Sequence, residues 1–190
     1  GVNAVYEMMA VIEEIRKIVP NEHPLLGKGI LELTDIISKP YPGASVVPSL
    51  CRATFDRRTL VGEDEGVILG QVNEAIARAQ KKHPGLKARC YLAEGEEKCW
   101  TGETIRAKRY FPAWVVDEDS ELVQGAMKGL KDAGIEAKLS HFAFCTNGSS
   151  FCGEAGIPCI GYGPSLESLA HVRDEYIEID QLTKACAGFE

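Results

Sequence analysis

At 190 residues, the chain is long enough for one large domain or two small ones. Apolar residues at 45% and charged residues at 26% are ordinary globular usage, with enough Val, Ile and Leu for a buried core. A net charge of −7 lacks the basic footprint of a nucleic-acid binder, and no apolar run approaches the ~20 residues needed to span a bilayer.

The chain opens Gly1-Val2-Asn3-Ala4 without an initiator Met, which reads as a trimmed product or fragment; Glu7, Glu13 and Glu14 argue against a signal peptide. Val5, Met8, Met9, Ile12, Ile15 and Val19 recur at helical spacing and predict an amphipathic helix over 3–18, ended by Pro20 and the Asn21–Pro24 turn. Gly29–Ser38 reads as a strand, 39–43 as a proline-rich loop, and Leu50–Arg58 as a second strand with Cys51, Ala53 and Phe55 alternating against polar neighbours. Glu63–Lys82 is predicted as a helix with Val67, Val72, Ile76 and Ala79 on its apolar side, and Leu86–Ala93 as a strand. Helix, strand, strand, helix, strand is the split β-α-β pattern of a ferredoxin-like domain lacking its first strand.

From Glu94 to Trp114 the pattern is mixed and reads as a crossover between domains. A helix is expected from Ser120 to Ala133, a strand from Ile135 to Phe144, a short helix from Ser150 to Ala155, a buried strand from Ile157 to Tyr162, and a last helix from about Asp180. Helices alternating with short apolar strands point to the edge of an α/β sheet. The organisation predicted is therefore α/β (α+β), divided into 1–94, a crossover at 95–119, and 120–190.

Seven cysteines form an odd set without C-x-x-C spacing, which reads as free, largely buried thiols in a reducing cytoplasm. Thr146-Asn147-Gly148-Ser149, between a strand and a short helix, is either a plain turn or a place where backbone N–H groups meet an anion. Ala170-His171 follows an apolar strand and a Gly-x-Gly-Pro turn, where α/β proteins place their sites; by itself such a histidine is more often an idle loop residue than a zinc ligand. His23 and His83 sit in helix-ending turns, and His141 in a predicted strand. No H-x-D, H-E-x-x-H or Gly-x-Ser-x-Gly occurs, so neither a full zinc site nor a serine nucleophile is spelled out. Cys145 or Cys152 with His141 or His171 is a further candidate pairing for a nucleophile.

Three stretches together resemble a known family. They are Gly1-Val2-Asn3-Ala4 with its helix, Val46-Val47-Pro48 through Cys51 to Asp56-Arg57-Arg58, and Gly156-Ile157-Pro158 followed by Gly161–Pro164, Ala170-His171 and Glu175–Asp180. In this order they resemble the co-catalytic zinc hydrolases that include aminoacylase, acetylornithine deacetylase, succinyl-diaminopimelate desuccinylase and glutamate carboxypeptidase. The combination is most similar to a branch of peptidases and deacylases linked to selenium metabolism. Ser45 stands where the family has Asn, Thr146–Ser149 replaces its Gly-Gly-Thr-Asp type of loop, and Asp174 replaces a common Asn.

The resemblance implies a ferredoxin-like lid (dimerisation) domain at 1–94 and the C-terminal part of the catalytic domain at 120–190. It implies a zinc-dependent hydrolase of N-acyl amino acids or small peptides, with two zinc ions in the intact parent, cobalt or manganese being alternatives. His171 would be a metal ligand, and Asn147, Gly148, Ser149, Arg58 and Arg109 would contact substrate; the general-base Glu and the remaining ligands would lie upstream. A homodimer formed through the lid is implied as well. The alternative is a catalytically silent lid fragment that serves only in assembly.

Overall fold

In the computed structural model, which describes residues 1–190, the first helix starts on a side chain: the Asn3 carboxamide oxygen accepts the Val5 N–H at 3.0 Å. This helix, α1 (Ala4–Ile15), turns Val11, Glu14 and Ile15 inward. It ends three residues short of the predicted limit. Val19 stands exposed outside it, because the ring of Pro20 disfavours helical backbone at the residue before. The following turn is a small hairpin, β1 (Glu22–His23) with β2 (Gly27–Lys28). There His23 Nδ1 accepts the N–H groups of Leu25 and Leu26 at 3.1 and 3.2 Å.

Strands β3 (Ile30–Lys39) and β4 (Leu50–Arg58) pair antiparallel, from Ile30 opposite Arg58 to Lys39 opposite Leu50, with one irregularity between Leu33 and Asp35. Every second residue of β4, including Cys51, Ala53 and Phe55, faces inward as the alternation predicts. Helix α2 (Glu65–Lys82) begins two residues later than predicted, because Asp64 is its cap and accepts the Val67 N–H at 2.8 Å. Glu63 is buried ahead of it, receiving Arg57 at 2.8 Å, Asn21 at 2.9 Å and the Leu60 N–H at 3.0 Å. The buried face of α2 is Ile68, Ala75, Ile76 and Ala79; Val67, expected there, is exposed.

Val11 and Ile15 meet Ala75, Ile76, Ala79 and Leu86 in one core, with Leu31 of β3 and Phe55 of β4 packed against it. Two helices thus cover one face of a strand pair. Burying a side chain such as Ile76 contributes about 1.5–3 kcal/mol. Beneath the helices, Leu86–Ala93 corrects the prediction in an informative way. Leu86, Ala88, Cys90 and Leu92 alternate inward while Lys87, Arg89, Tyr91 and Ala93 are exposed, yet the segment belongs to no sheet. The side chains obey a strand's period, but no neighbouring strand supplies backbone partners. The observed order is helix, a small hairpin, two paired strands, helix and then an extended segment outside any sheet, so the last strand of the predicted split β-α-β pattern is not formed.

The stretch read as a crossover holds a hairpin, β5 (Glu94–Lys98) with β6 (Thr104–Lys108), in register from Glu94–Lys108 to Lys98–Thr104. Charges on both faces hide its two-residue period. The chain divides into two units, Gly1–Ala113 and Trp114–Glu190.

In the second unit, Ser120 caps α3 (Glu121–Asp132), which buries Val123 and Leu130 and ends at Gly134. Ser149–Glu154 forms one π-helical turn, Glu167–Leu169 a single 3₁₀ turn, and α4 (Ile179–Phe189) closes the chain. Gly188 is required where α4 approaches Leu130 and Tyr162, since a Cβ there would overlap both. The predicted strands Ile135–Phe144 and Ile157–Tyr162 join no ladder, and Phe142, Phe144, Ile157 and Ile160 are exposed rather than buried. Apolar runs of this kind become parallel strands only between neighbours that complete their hydrogen bonds, and this chain supplies none.

Candidate functional site

The loop between the two unladdered runs of the second unit is tied by its own side chains. Thr146 Oγ1 accepts the Gly148 N–H and Thr146 O the Ser149 N–H, each at 3.1 Å. Asn147 O accepts the N–H groups of Ser150 and Phe151, both at 3.1 Å. The backbone donors from 148 to 151 are therefore committed locally, and the group left facing solvent is the Asn147 carboxamide. Gly148 and Ser149 are buried, with Ser149 Oγ beside Cys145 Sγ at 3.7 Å. A Cβ on Gly148 would fall on the Trp114 indole, so this glycine is set by a packed neighbour.

His171 is exposed and sits at φ 61°, a left-handed backbone that a non-glycine residue adopts at a cost of about 1–2 kcal/mol. Two residues help to hold its loop. Glu175 Oε2 accepts the His171 N–H at 3.0 Å, so that carboxylate positions the backbone and leaves the imidazole free. Glu167 begins the 3₁₀ turn just before, and its Oε1 accepts the N–H groups of Ala143 and Phe144 at 2.8 and 3.2 Å. Neither Glu167 nor Trp114 was singled out by sequence; an exposed acid in a loop and an aromatic near a boundary carry no local signature.

Asn147, Gly148, Ser149 and His171 all lie in the second unit, whereas Arg58 and Arg109 lie in the first. Each arginine has a carboxylate partner of its own: Arg58 pairs with Asp56 at 3.1 Å and Arg109 with Glu97 at 3.7 Å. The imidazoles of His141 and His171 make no hydrogen bond to a thiol, which leaves the Cys–His pairing without geometric support. Burial pushes the thiols of Cys51, Cys90 and Cys159 up, Cys159 also through the neighbouring Cys152, making them weaker nucleophiles. All seven cysteines are free, but the expectation that they are largely buried is not met: Cys145 and Cys186 are exposed and the other five are half-buried.

No three His, Cys, Asp or Glu side chains converge to hold a metal ion, so the residues present do not make up a metal site by themselves. No helix is long and apolar enough to cross a membrane.

A mixed α/β chain with a two-helix, two-strand first unit and a loop histidine after Gly-x-Gly-Pro can be set against known proteins. Residues 8–190 match peptidase family M20/M25/M40, and the chain belongs to that family. It is 30% identical over 178 residues to the uncharacterized protein YgeY of Escherichia coli strain K12, and equally to the protein of that name in Escherichia coli O157:H7. The alignment takes in 92% of this chain and 43% of each relative, so the chain spans less than half the length of the curated relatives it matches. The family is thereby fixed; the match does not separate its aminoacylase, acetylornithine deacetylase and desuccinylase branches.

Proposed function

We propose that the whole protein is a metal-dependent hydrolase that cleaves the amide bond of N-acyl amino acids or small peptides through a metal-activated water. The observation that carries this reading is the family match over residues 8–190. Zinc is the metal proposed, as two ions in the complete protein, with cobalt or manganese as alternatives. His171 is the one ligand assigned to this chain, its imidazole exposed and free of partners; its co-ligands and the general-base glutamate are assigned to residues outside it. The exposed Asn147 carboxamide is suited to orient the substrate's carboxylate or oxyanion, with Gly148 and Ser149 fixing its loop. Arg58 and Arg109 are assigned a secondary part, since each would have to exchange its present carboxylate for the substrate's. Within the family, the branch proposed is the deacylase and peptidase group linked to selenium metabolism. A homodimer through the first unit and a cytoplasmic location complete the reading, the latter supported by seven free thiols.

The second reading is that these residues act as a silent lid and assembly module, and chemistry belongs to the remainder of the protein. Amine release from a panel of N-acetyl amino acids and dipeptides, with zinc, cobalt or manganese supplied, tests both. The full-length gene product is expected to cleave at least one substrate, to stop when chelated, and to lose activity by at least about a hundredfold in His171→Ala. A full-length protein inert toward every amide in all three metals would sink the hydrolase reading. Undiminished activity in His171→Ala would support the silent-module reading for this part.

A further inference from the structure

We propose that Glu167 is a positioning residue that couples the Thr146–Ser149 loop to the His171 loop. One carboxylate oxygen receives two consecutive backbone donors, Ala143 N–H at 2.8 Å and Phe144 N–H at 3.2 Å, immediately before Cys145 and the Thr146 turn. These two N–H groups have no strand partner, so the carboxylate is what satisfies them.

On its other side Glu167 is bonded into the turn that delivers the histidine. Ala170 N–H donates to Glu167 O at 3.1 Å and Leu169 N–H to Leu166 O at 3.0 Å, which leaves little slack between Glu167 and His171. His171 is then fixed from beyond by Glu175 at 3.0 Å, in its left-handed backbone. A second tether runs in parallel. The Phe142 ring lies where a Cβ on Gly161 would be, and Phe142 stacks on Phe144 with centroids 4.8 Å apart. Side chains thus do between 142–144 and 161–167 what a β-ladder would otherwise do. A carboxylate clamp of this kind sets the distance between a group that holds substrate and one that holds a metal, where misplacement by about 1 Å can cost a hundredfold in rate. The catalytic weight of the clamp rests on the reading of the two loops given above; the coupling itself rests on geometry alone.

The test is made by NMR on the 190-residue chain, with His171→Ala used to assign the His171 imidazole. Glu167→Ala is expected to speed amide exchange at Ala143 and Phe144 by roughly tenfold or more and to shift the His171 imidazole signals, while α3 amides stay protected. Glu167→Gln keeps an acceptor oxygen and is expected to restore both readouts. If Glu167→Ala unfolds the unit, Glu167→Asp, too short to reach both donors, provides the same comparison. Unchanged exchange at 143 and 144, or faster exchange with His171 signals unmoved, overturns the coupling. In the full-length gene product, Glu167→Ala is expected to lower kcat/KM about ten- to hundredfold with Glu167→Gln near normal. If the NMR coupling holds while Asn147→Ala and His171→Ala leave activity intact, the functional reading of the loops fails and the coupling stands.

Discussion

Gly148 illustrates how a residue's reason can differ from its appearance. In sequence, Asn147-Gly148 looks like a turn opened for a ligand, but the backbone at Gly148 is helical (φ −54°), available to any residue. What excludes a side chain is the Trp114 ring. Gly148→Ala is therefore expected to cost about 1–3 kcal/mol in urea unfolding, as overpacking does. In a Trp100→Phe background, where Trp114 is the sole tryptophan, its emission should shift to the red. Unaltered stability and emission would show that the ring yields freely. At His171 the expectation runs the other way. Because the residue sits at φ 61°, His171→Gly should leave stability unchanged or raise it by up to about 1 kcal/mol, measured in the same titration. A clear loss would mean that the imidazole contributes to the fold.

Among the elements, the contact of α1 with α2 is organised around an acid. Glu14 is buried and is reached by Lys17 and Lys82 at 2.6 Å and Arg78 at 3.1 Å. Lys17, then Lys82, then Arg78 hold its carboxyl down at about 2 from 4.5, against the upward push of burial. The same contact with Glu14 pushes Lys82 up. A carboxyl depressed on folding stabilises above its unfolded value and loses that contribution as pH falls toward the folded one. The stability difference between the native chain and Glu14→Gln should accordingly be constant above about pH 5 and shrink between pH 4.5 and 2. A difference that persisted unchanged at pH 2 would rule out the ion cluster as its source. On α2, Ile76→Ala should cost about 2–5 kcal/mol and the exposed Val67→Ala less than about 0.5 kcal/mol. Equal costs would restore the stripe drawn through Val67 from sequence. Of the side drawn from sequence, Ile76 and Ala79 are buried and Val72 packs against the core; only Val67 falls outside, its place at the start of the buried face being taken by Ile68.

For the whole chain, two units and one family describe what is present, and the ligand set describes what is not. A single histidine binds zinc weakly, while structural and catalytic sites use three or four ligands. The 190-residue chain is thus expected to retain well under one equivalent of zinc after dialysis, by elemental analysis, and the full-length gene product to retain zinc. Stoichiometric zinc on the chain alone would place a complete site within it and revise the role given to His171.

Much of the fold was legible in the chain because it is written in local physics. The inward alternation of β4, the helix after Asp119 and the interruption at Pro20 depend only on neighbours in sequence. Leu86–Ala93 marks the limit: its two-residue period is a property of its side chains, whereas a ladder is a property of two strands. The 94–108 hairpin was hidden for the converse reason, a pairing made without an apolar face. In the site, sequence marked the Thr146–Ser149 turn as a place where an anion could be met, and the family resemblance, not the local pattern, gave Asn147 and His171 their expected roles. Only the tertiary structure decided that Trp114 dictates Gly148 and that Glu167 joins the two loops. Those contacts span 34 and about two dozen residues of chain, and nothing but folding brings such positions within a hydrogen bond or a ring's width of each other.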